Sequence, residues 1–284
     1  MGPDGGQLLG YLCSLGLLEA AHRSLPEHES RLGFTWHRVG WRPRLRIAPA
    51  LGFDRVADAV AKWIALQSAA PELCLGDDLP CDPVAFEKVA LEALTLPDRA
   101  VVDRLAAFGW KRSADAFEDT EFRTMRGAGH QHFLAFARTL ASETSRTDLD
   151  RCLLAVWDYA DPGPSLRFDP IDDRRYALRA DDPAASSSAH PIRTMRAANA
   201  LAVEGLRVLP VVPSRRGGRT TLFDGAGGAP TVRWPVWERP VTRDAVASLL
   251  AAGARSAAGV AAVYESRRLT IGKMRVFTPA RQVA

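Results

Sequence analysis

The order of hydrophobic periodicities along the chain is the feature that most constrains its fold. In the first half, apolar residues recur every three or four positions in several segments, beginning with the leucines of 7–22, and this spacing predicts amphipathic helices. After about residue 160, short alternating segments lie between glycine- and proline-rich turns. Because helices and strands do not follow one another as regular βαβ units, the sequence predicts an α+β fold.

The predicted elements fall into two regions. Residues 1–160 form a mostly helical N-terminal region with short antiparallel strands, and residues 161–284 form a basic C-terminal region of mixed strand and helix; a single domain is the alternative. The predicted helices cover 7–22, a segment capped by Asp54, 84–94, 98–108, a segment beginning at Phe133, 147–157, 194–206 and 243–252. The predicted strands cover 34–39, 44–47, 208–212, 220–223, 231–234, 260–264 and 270–277, the last two as an antiparallel pair.

Composition indicates a soluble intracellular protein. Of 284 residues, 47% are hydrophobic and 25% charged, which is ordinary for a globular protein. The four cysteines (Cys13, Cys74, Cys81 and Cys152) are scattered in apolar company and are interpreted as reduced core residues. No apolar run is long enough to cross a bilayer, and the N-terminus lacks the pattern of a signal peptide. We therefore expect a cytoplasmic protein without a membrane partner.

The positive charge is concentrated in one part of the chain. From residue 205 to residue 284 there are 13 Lys and Arg against four acids, a balance of +9. The remaining 204 residues carry 24 basic and 29 acidic side chains, a balance of −5. Such asymmetry predicts that the C-terminal region faces a polyanion. The alternative is an uneven surface that has no such partner.

A turn rich in arginine and glycine precedes the predicted helix at Phe133. The glycines permit a tight turn, the helix start offers free N–H groups and the positive end of its dipole, and arginine forks suit a phosphate. This pattern predicts an anion-binding turn for a nucleic-acid backbone. The alternative is a connection whose arginines pair with acids on neighbouring helices. The candidate binding residues are Arg123, Arg126, Gly127, Gly129, His130 and Gln131.

Further candidates lie in the basic C-terminal region. One arginine-containing turn, at 215–219, and the residues that flank the last predicted hairpin are expected to follow a nucleic-acid backbone. These candidates are Arg215, Arg216, Arg219, Arg267, Arg268, Lys273 and Arg275. Alternation would place Lys273 and Arg275 on one face of a strand. Trp234, Trp237 and Tyr264 lie among these charges and could stack on unpaired bases, although core packing is the preferred interpretation of the tryptophans.

No catalytic constellation emerges from the sequence, and we predict no catalytic residue, no metal and no cofactor. His130 and His132 lack further ligands at zinc-site spacing. An acidic cluster could hold Mg²⁺ for phosphodiester cleavage, but arginines interleave with it and can neutralise it. Its members are Asp169, Asp172, Asp173, Asp181 and Asp182. A metal-dependent nuclease and a protein–protein adaptor with an acidic partner remain the alternative functions.

Several short motifs, in order along nearly the whole chain, resemble those of Cascade large-subunit-like proteins of the type I-G (formerly I-U) CRISPR systems. The motifs are QLLGYL at 7–12, LGLLEA at 15–20, FRTMRGAGHQHF at 122–133, LRFDP at 166–170, RRYAL at 174–178, LAVE at 201–204, WPVW at 234–237 and FTPAR at 277–281.

This resemblance implies a non-enzymatic subunit of a crRNA-guided antiviral surveillance complex. In such complexes guide pairing reads the target sequence, while protein reads a short flanking motif and holds the backbone. The implied partners are target DNA, the crRNA directly or through other subunits, the other Cascade subunits, and the helicase–nuclease that the complex docks. At 284 residues the chain is small for a large subunit, so the resemblance also allows these tasks to be shared with a separate small subunit.

Overall fold

The α+β class is confirmed by a computed structural model that describes residues 2–124, 132–169, 193–214, 217–224, 229–253, 259–271 and 274–284. The helices within these ranges are α1 (Leu8–Ser24), α2 (Phe53–Gln67), α3 (Pro83–Ala93), α4 (Ala100–Phe108), α5 (Phe133–Glu143), α6 (Arg146–Leu154), α7 (Arg196–Gly205) and α8 (Arg243–Ala252). The strands are β1 (Glu29–His37), β2 (Gly40–Ala48), β3 (Gly109–Ser113), β4 (Ala116–Asp119), β5 (Asp161–Pro162), β6 (Arg193–Thr194), β7 (Val211–Ser214), β8 (Gly217–Thr220), β9 (Phe223–Asp224), β10 (Thr231–Trp237), β11 (Val241–Thr242), β12 (Val260–Ile271), β13 (Met274–Phe277) and β14 (Arg281–Gln282).

Helix α1 lies at the centre of the protein. The prediction of a helix is confirmed, but its amphipathic character is not, because every residue from Leu8 to Ala21 is buried. A helix that is apolar all round belongs in a core rather than at a surface. It packs closely on α7: a side chain at Gly16 would overlap the backbone of Leu201, and one at Gly205 would overlap the carbonyl of Leu12. The two helices therefore touch backbone to backbone.

The strands pair antiparallel in two larger sheets and three two-stranded hairpins. One sheet has the order β11-β1-β2, and the other has the order β13-β12-β10-β9, with β14 also paired to β12. Strand β11, from the C-terminal region, pairs with β1 from the N-terminal region. One hydrophobic core contains residues from both sides of position 160, including α1 and α7. The two predicted regions are thus joined by backbone pairing and by shared packing.

Several boundary predictions are corrected by the structure. The prediction of one continuous strand over 270–277 is wrong, because β12 runs as far as Ile271 and Thr270 lies opposite Arg275 of β13. The segment predicted as strand 208–212 begins with a 3-10 turn, Leu206–Val208, and only then enters β7. Asp54 is not the cap of α2, whose N-cap is Gly52 without a side-chain hydrogen bond. Strands β3 and β4 were not predicted, since their sequence reads as the loop after a helix.

A buried network of four charged side chains lies between α4 and α7. Arg104 Nη1 contacts Glu72 Oε1 at 3.0 Å and its other terminal nitrogen contacts Glu204, while Arg207 Nε contacts Glu204 Oε2 at 3.1 Å. Trp63 Nε1 donates to Glu204 Oε2 at 2.9 Å. Burial raises the pKa of Glu204, but the two guanidinium groups more than offset this and hold that pKa below its ordinary value. The four charges sum to zero, and the side chains come from both regions.

Candidate nucleic-acid interface

The described ends of the predicted anion-binding turn, Arg123 and the start of α5, both contact a carboxylate of the protein itself. Helix α5 begins at Phe133 as predicted, and its first N–H donates to Asp78 Oδ1 at 2.9 Å. The other oxygen of Asp78 accepts from Arg123 Nη2 at 2.7 Å, and Arg123 Nη1 donates to Asp119 at 2.7 Å. Arg123 is buried. These contacts correspond to the alternative interpretation, in which the arginine pairs with acids on neighbouring segments.

The rest of this turn lies outside the residues that the structure describes. Arg126, Gly127, Gly129, His130 and Gln131 fall in the gap between positions 124 and 132, so their assignment stays a prediction.

Two of the C-terminal candidates, Arg268 and Arg275, are buried in internal contacts. Arg268 Nη1 donates to the carbonyl of Glu121 at 2.7 Å, forms an ion pair with the carboxylate of Glu121, and lies 5.9 Å from the centre of the Phe223 ring. Arg275 donates from its backbone N–H to the carbonyl of Thr124 at 2.8 Å. Both arginines thus fasten the last hairpin to the segment that precedes the predicted anion-binding turn.

Arg219 and Arg267 are exposed, on β8 and β12 respectively. Among the described residues, neither guanidinium group takes part in a hydrogen bond or an ion pair, so both are free to meet a phosphate. Arg215, Arg216 and Lys273 lie outside the described ranges. The structure therefore leaves two described residues of the C-terminal set as surface cations.

Part of the charge asymmetry is neutralised inside the molecule. Arg243 contacts Glu19 at 2.9 Å and Asp103 at 2.6 Å, and Arg207 contacts Glu72 at 3.4 Å. In each pair the cation comes from the C-terminal region and the carboxylate from the N-terminal region. The opposite balances of the two regions are thus in part a complementarity between them, which lessens the argument for an external polyanion along the whole C-terminal region.

The aromatic residues proposed for base stacking belong to the core. Trp234 and Trp237 are buried, and their indole N–H groups donate to the carbonyls of Gly5 and Leu32 at 2.9 and 2.7 Å. Core packing, the preferred interpretation of the tryptophans, is confirmed. Tyr264 is partly exposed and accepts a hydrogen bond from Trp41 Nε1 at 3.2 Å.

A basic and aromatic surface occurs instead on the β1–β2 hairpin. Residues 29–48 contain five arginines, one histidine and a single acid, Glu29. We call five of its exposed residues the hairpin surface; they are Trp36, His37, Arg38, Arg44 and Arg46. Arg31 is exposed too, but it is paired with Glu29 at 2.6 Å and is not included. Arg44 bonds to Thr35 Oγ1 at 3.2 Å, and the guanidinium groups of Arg38 and Arg46 have no partner within the described residues. The cations of this surface are therefore not neutralised by carboxylates of the described chain.

Trp36 is held in place although half of its surface is exposed. Its exposed fraction is 51%, and its ring lies 5.4 Å from that of Trp41 at an interplanar angle of 72°. Trp41 is fixed in turn, because its backbone N–H donates to Asp4 at 2.9 Å and its indole donates to Tyr264. Trp36 lies on the same face of the hairpin as Trp41, whereas Arg44 and Arg46 lie on the opposite face. A supported, solvent-facing indole is a group on which an unpaired base can stack.

The tip of the hairpin is conformationally strained at a cation. Arg38, in the two-residue connection between His37 and Gly40, has a φ of 57°, a region that favours glycine or asparagine. Backbone strain of this kind costs on the order of 1–3 kcal/mol and is concentrated at functional positions.

Sequence reasoning missed this surface although a signal was present. Arg42, Arg44 and Arg46 are spaced by two, which places them on one face of a strand. The second predicted strand covers only 44–47, so Arg42 falls outside it and the spacing of the three arginines is not apparent. Of the three, Arg42 is partly buried and donates to the carbonyls of Gly2 and Pro3 at 3.0 and 3.1 Å.

The described residues give no support to a metal centre. No group of three or more His, Cys, Asp or Glu side chains in these ranges is placed to hold a metal ion. Asp169 is buried, and Asp172, Asp173, Asp181 and Asp182 lie outside the described ranges. None of the helices in the described part combines the length and apolar character needed to span a bilayer.

Comparisons with known proteins assign no family to the chain. No protein-family model matches the sequence, and comparison with curated proteins gives no significant match.

Proposed function

We propose that this protein is a non-catalytic nucleic-acid-binding subunit of a crRNA-guided surveillance complex, and that the hairpin surface contacts nucleic acid in it. The observation that carries the binding role is the set of exposed hairpin cations, Arg38, Arg44 and Arg46, which no carboxylate of the described residues neutralises. The supported Trp36 lies on the other face of the same hairpin. The assembly itself, with crRNA, target DNA, other Cascade subunits and the helicase–nuclease, follows from the sequence resemblance. Reading of the flanking motif belongs to the same proposal.

The chemistry of the hairpin surface suits a backbone contact with local stacking. Arg38, Arg44 and Arg46 are spread along the hairpin, so they can follow successive phosphates rather than form one base-reading fork. The Trp36 indole offers a flat apolar face, and every base presents a π-face to it. The surface therefore favours unpaired or splayed strands without selecting a sequence.

The first experiment measures binding of the purified protein to labelled duplex and single-stranded DNA over a salt series. The test variant carries Arg38→Gln, Arg44→Gln and Arg46→Gln together. Each lost phosphate contact lowers the log–log salt slope by about 0.9 on duplex and about 0.7 on single strands. The triple variant should therefore lose roughly 2.7 units of slope on duplex, with weaker binding of all sequences alike.

The matched control removes three surface charges elsewhere. Lys62, Lys88 and Arg99 are exposed on or beside α2, α3 and α4, and their replacement by glutamine gives the same change in net charge. This control should retain the wild-type slope. Equal loss in both variants would mean that net charge alone, and not the hairpin surface, governs binding.

A second measurement separates the alternative functions. The same DNA is incubated with the protein with and without Mg²⁺, and the protein is co-expressed with the other complex components and crRNA. Binding without cleavage, with recovery of crRNA in the co-purified complex, supports the proposal. Mg²⁺-dependent cleavage would identify a nuclease instead, and neither binding nor cleavage would leave the adaptor as the better account.

A further inference from the structure

Strand β2 has an open edge next to an apolar groove. It is the outer strand of the sheet β11-β1-β2, so one side of its backbone pairs with β1, and on the other side no strand of the described residues lies beside it. An open edge exposes a row of N–H and C=O groups that can template another strand. The N-terminal segment covers only the first part of this edge, where Gly5 N–H donates to the Trp41 carbonyl at 2.8 Å.

The outward-pointing groups of β2 can be identified from the pairing. In an antiparallel ladder, alternate residues of a strand bond to the partner strand and the others point away. Trp41 bonds away from β1, to Asp4 and Gly5, so Pro43, Leu45 and Ile47 also point away. Proline at such a position costs no ladder bond. Within the described residues, the outward backbone groups of Leu45 and Ile47 have no hydrogen-bond partner.

The side chains of the same three residues border a cavity of about 790 Å³. Its apolar walls come mainly from α1, α2 and α6, and they include Leu17, Val56, Leu153 and two exposed apolar side chains, Phe53 and Leu154. The charged lining residues are Arg46 and the ion pair of Glu29 with Arg31. Large apolar side chains that remain exposed around one concave site mark a binding surface. Apolar side chains of an added strand would enter this groove while its backbone pairs with β2.

The side chains on the other face of β2 determine which charge an added strand can carry. Successive side chains of a strand alternate between faces, so Arg44 and Arg46 lie on the face opposite Leu45 and Ile47, although Arg46 also borders the cavity. A strand added beside β2 would place every second side chain next to these arginines, where carboxylates are favoured and cations are disfavoured. A second copy of β2 paired edge to edge would bring arginines against arginines. Charge therefore selects a different, acidic partner.

From this geometry we infer that the β2 edge binds an extended segment of a partner protein in which apolar and acidic residues alternate. The segment adds as a strand to β2, its apolar side chains fill the groove, and its carboxylates face Arg44 and Arg46. The free edge from Pro43 to Ala48 spans six residues of β2, about 20 Å, and so accommodates a segment of about that length. This inference stands without the nucleic-acid role of the hairpin surface, but the segment shares Arg44 and Arg46 with that surface, so nucleic acid and the segment would compete for these two side chains.

The probe is a short fluorescent peptide in which valine and glutamate alternate, titrated with the full-length protein and followed by fluorescence anisotropy. Two matched peptides accompany it: one with lysine in place of glutamate, and one N-methylated on the backbone amides that would face β2. Both should bind at least tenfold more weakly, because one loses the charge match and the other loses main-chain hydrogen bonds. Equal binding of either control peptide would overturn the inference.

Two protein variants test the edge and the groove without touching the hairpin arginines. Ile47→Pro removes an outward N–H, whereas Ile47→Val keeps it, so only the proline variant should lose binding by roughly tenfold. Leu154→Asp places a charge in the groove wall, and Leu94→Asp, at a position of matching exposure (62% and 63%), serves as its control. Because both leucines are exposed, neither aspartate variant should unfold the protein.

The remaining outcomes are equally decisive. If Ile47→Pro and Leu154→Asp bind the peptide like wild type while melting normally, the edge is not the site and the inference is wrong. The same holds if the valine–glutamate peptide shows no saturable binding. Loss of peptide binding with retained DNA binding supports a separate protein-docking edge.

Discussion

Replacing Glu204 with glutamine should be among the most destabilising isosteric changes in this protein. Glu204 is shared by the guanidinium groups of Arg104 and Arg207, and the charged side chains of the network are at most 2% exposed. The substitution keeps the shape but leaves two buried guanidinium groups facing the single carboxylate of Glu72. The network then carries one uncompensated positive charge, away from water.

The size of the effect follows from the cost of breaking a buried ion pair. Removal of one partner costs about 3–5 kcal/mol, because the remaining charge stays buried without compensation. At about 1.4 kcal/mol per factor of ten, the unfolding equilibrium constant should rise by roughly 10² to 10⁴. Since a domain has a total stability of only about 5–15 kcal/mol, the variant should unfold at visibly lower urea concentration.

The assay is equilibrium urea denaturation of the wild type, Glu204→Gln, Arg104→Met and the double variant. The double variant restores neutrality, with Arg207 facing Glu72, and should be more stable than the sum of the two single losses predicts. A loss below about 1 kcal/mol in Glu204→Gln, or strict additivity in the cycle, would refute the charge argument.

Three further predictions concern stability. Gly16→Ala should lower the free energy of unfolding by about 1–3 kcal/mol or more, since its methyl group would overlap the Leu201 backbone, and thermal melting measures this. The lowered pKa of Glu204 stabilises the fold at pH values above the pKa of an unfolded glutamate, about 4.3, and this stabilisation is lost as the pH falls through the pKa of the folded state. Between about pH 5 and 3, the wild type should therefore lose more stability than Glu204→Gln, as measured by urea denaturation. Arg123→Gln should lower the melting temperature by leaving Asp78 without its ion pair, while the salt slope of DNA binding stays unchanged; a changed slope with unchanged melting would restore Arg123 as a phosphate ligand.

The sequence was most informative where local spacing alone decides the structure. The helices at 133 and at 243–252 begin where the apolar spacing and the preceding residues indicate, and α4 ends at the glycine that follows Phe108. These features depend on contacts three or four residues apart. The prediction of one strand over 270–277 was wrong because it needed information beyond local spacing. Alternation of apolar and polar residues continues through a hairpin and does not show where the chain reverses.

The candidate site was harder to predict because the role of a charge depends on what lies opposite it. Arg123 and Arg268 have the sequence context of surface cations, yet each is buried against a carboxylate distant in the chain, Asp78 and Glu121. The exposed arginines of the β1–β2 hairpin lie instead in the region whose net charge is negative. Neither assignment follows from regional charge, because regional charge does not say which cations face water.

The sequence by itself determined the α+β class, the helices with strong periodicity and the concentration of cations after residue 205. The tertiary structure alone decided that α1 is central rather than amphipathic and that Arg207 and Arg243 neutralise carboxylates of the N-terminal region. It also decided that Arg38, Arg44 and Arg46 of the β1–β2 hairpin face water. The physical reason is the distance along the sequence over which each effect acts. Periodicity and turn chemistry act within a few residues, whereas burial and ion pairing depend on partners that folding brings together from far along the chain.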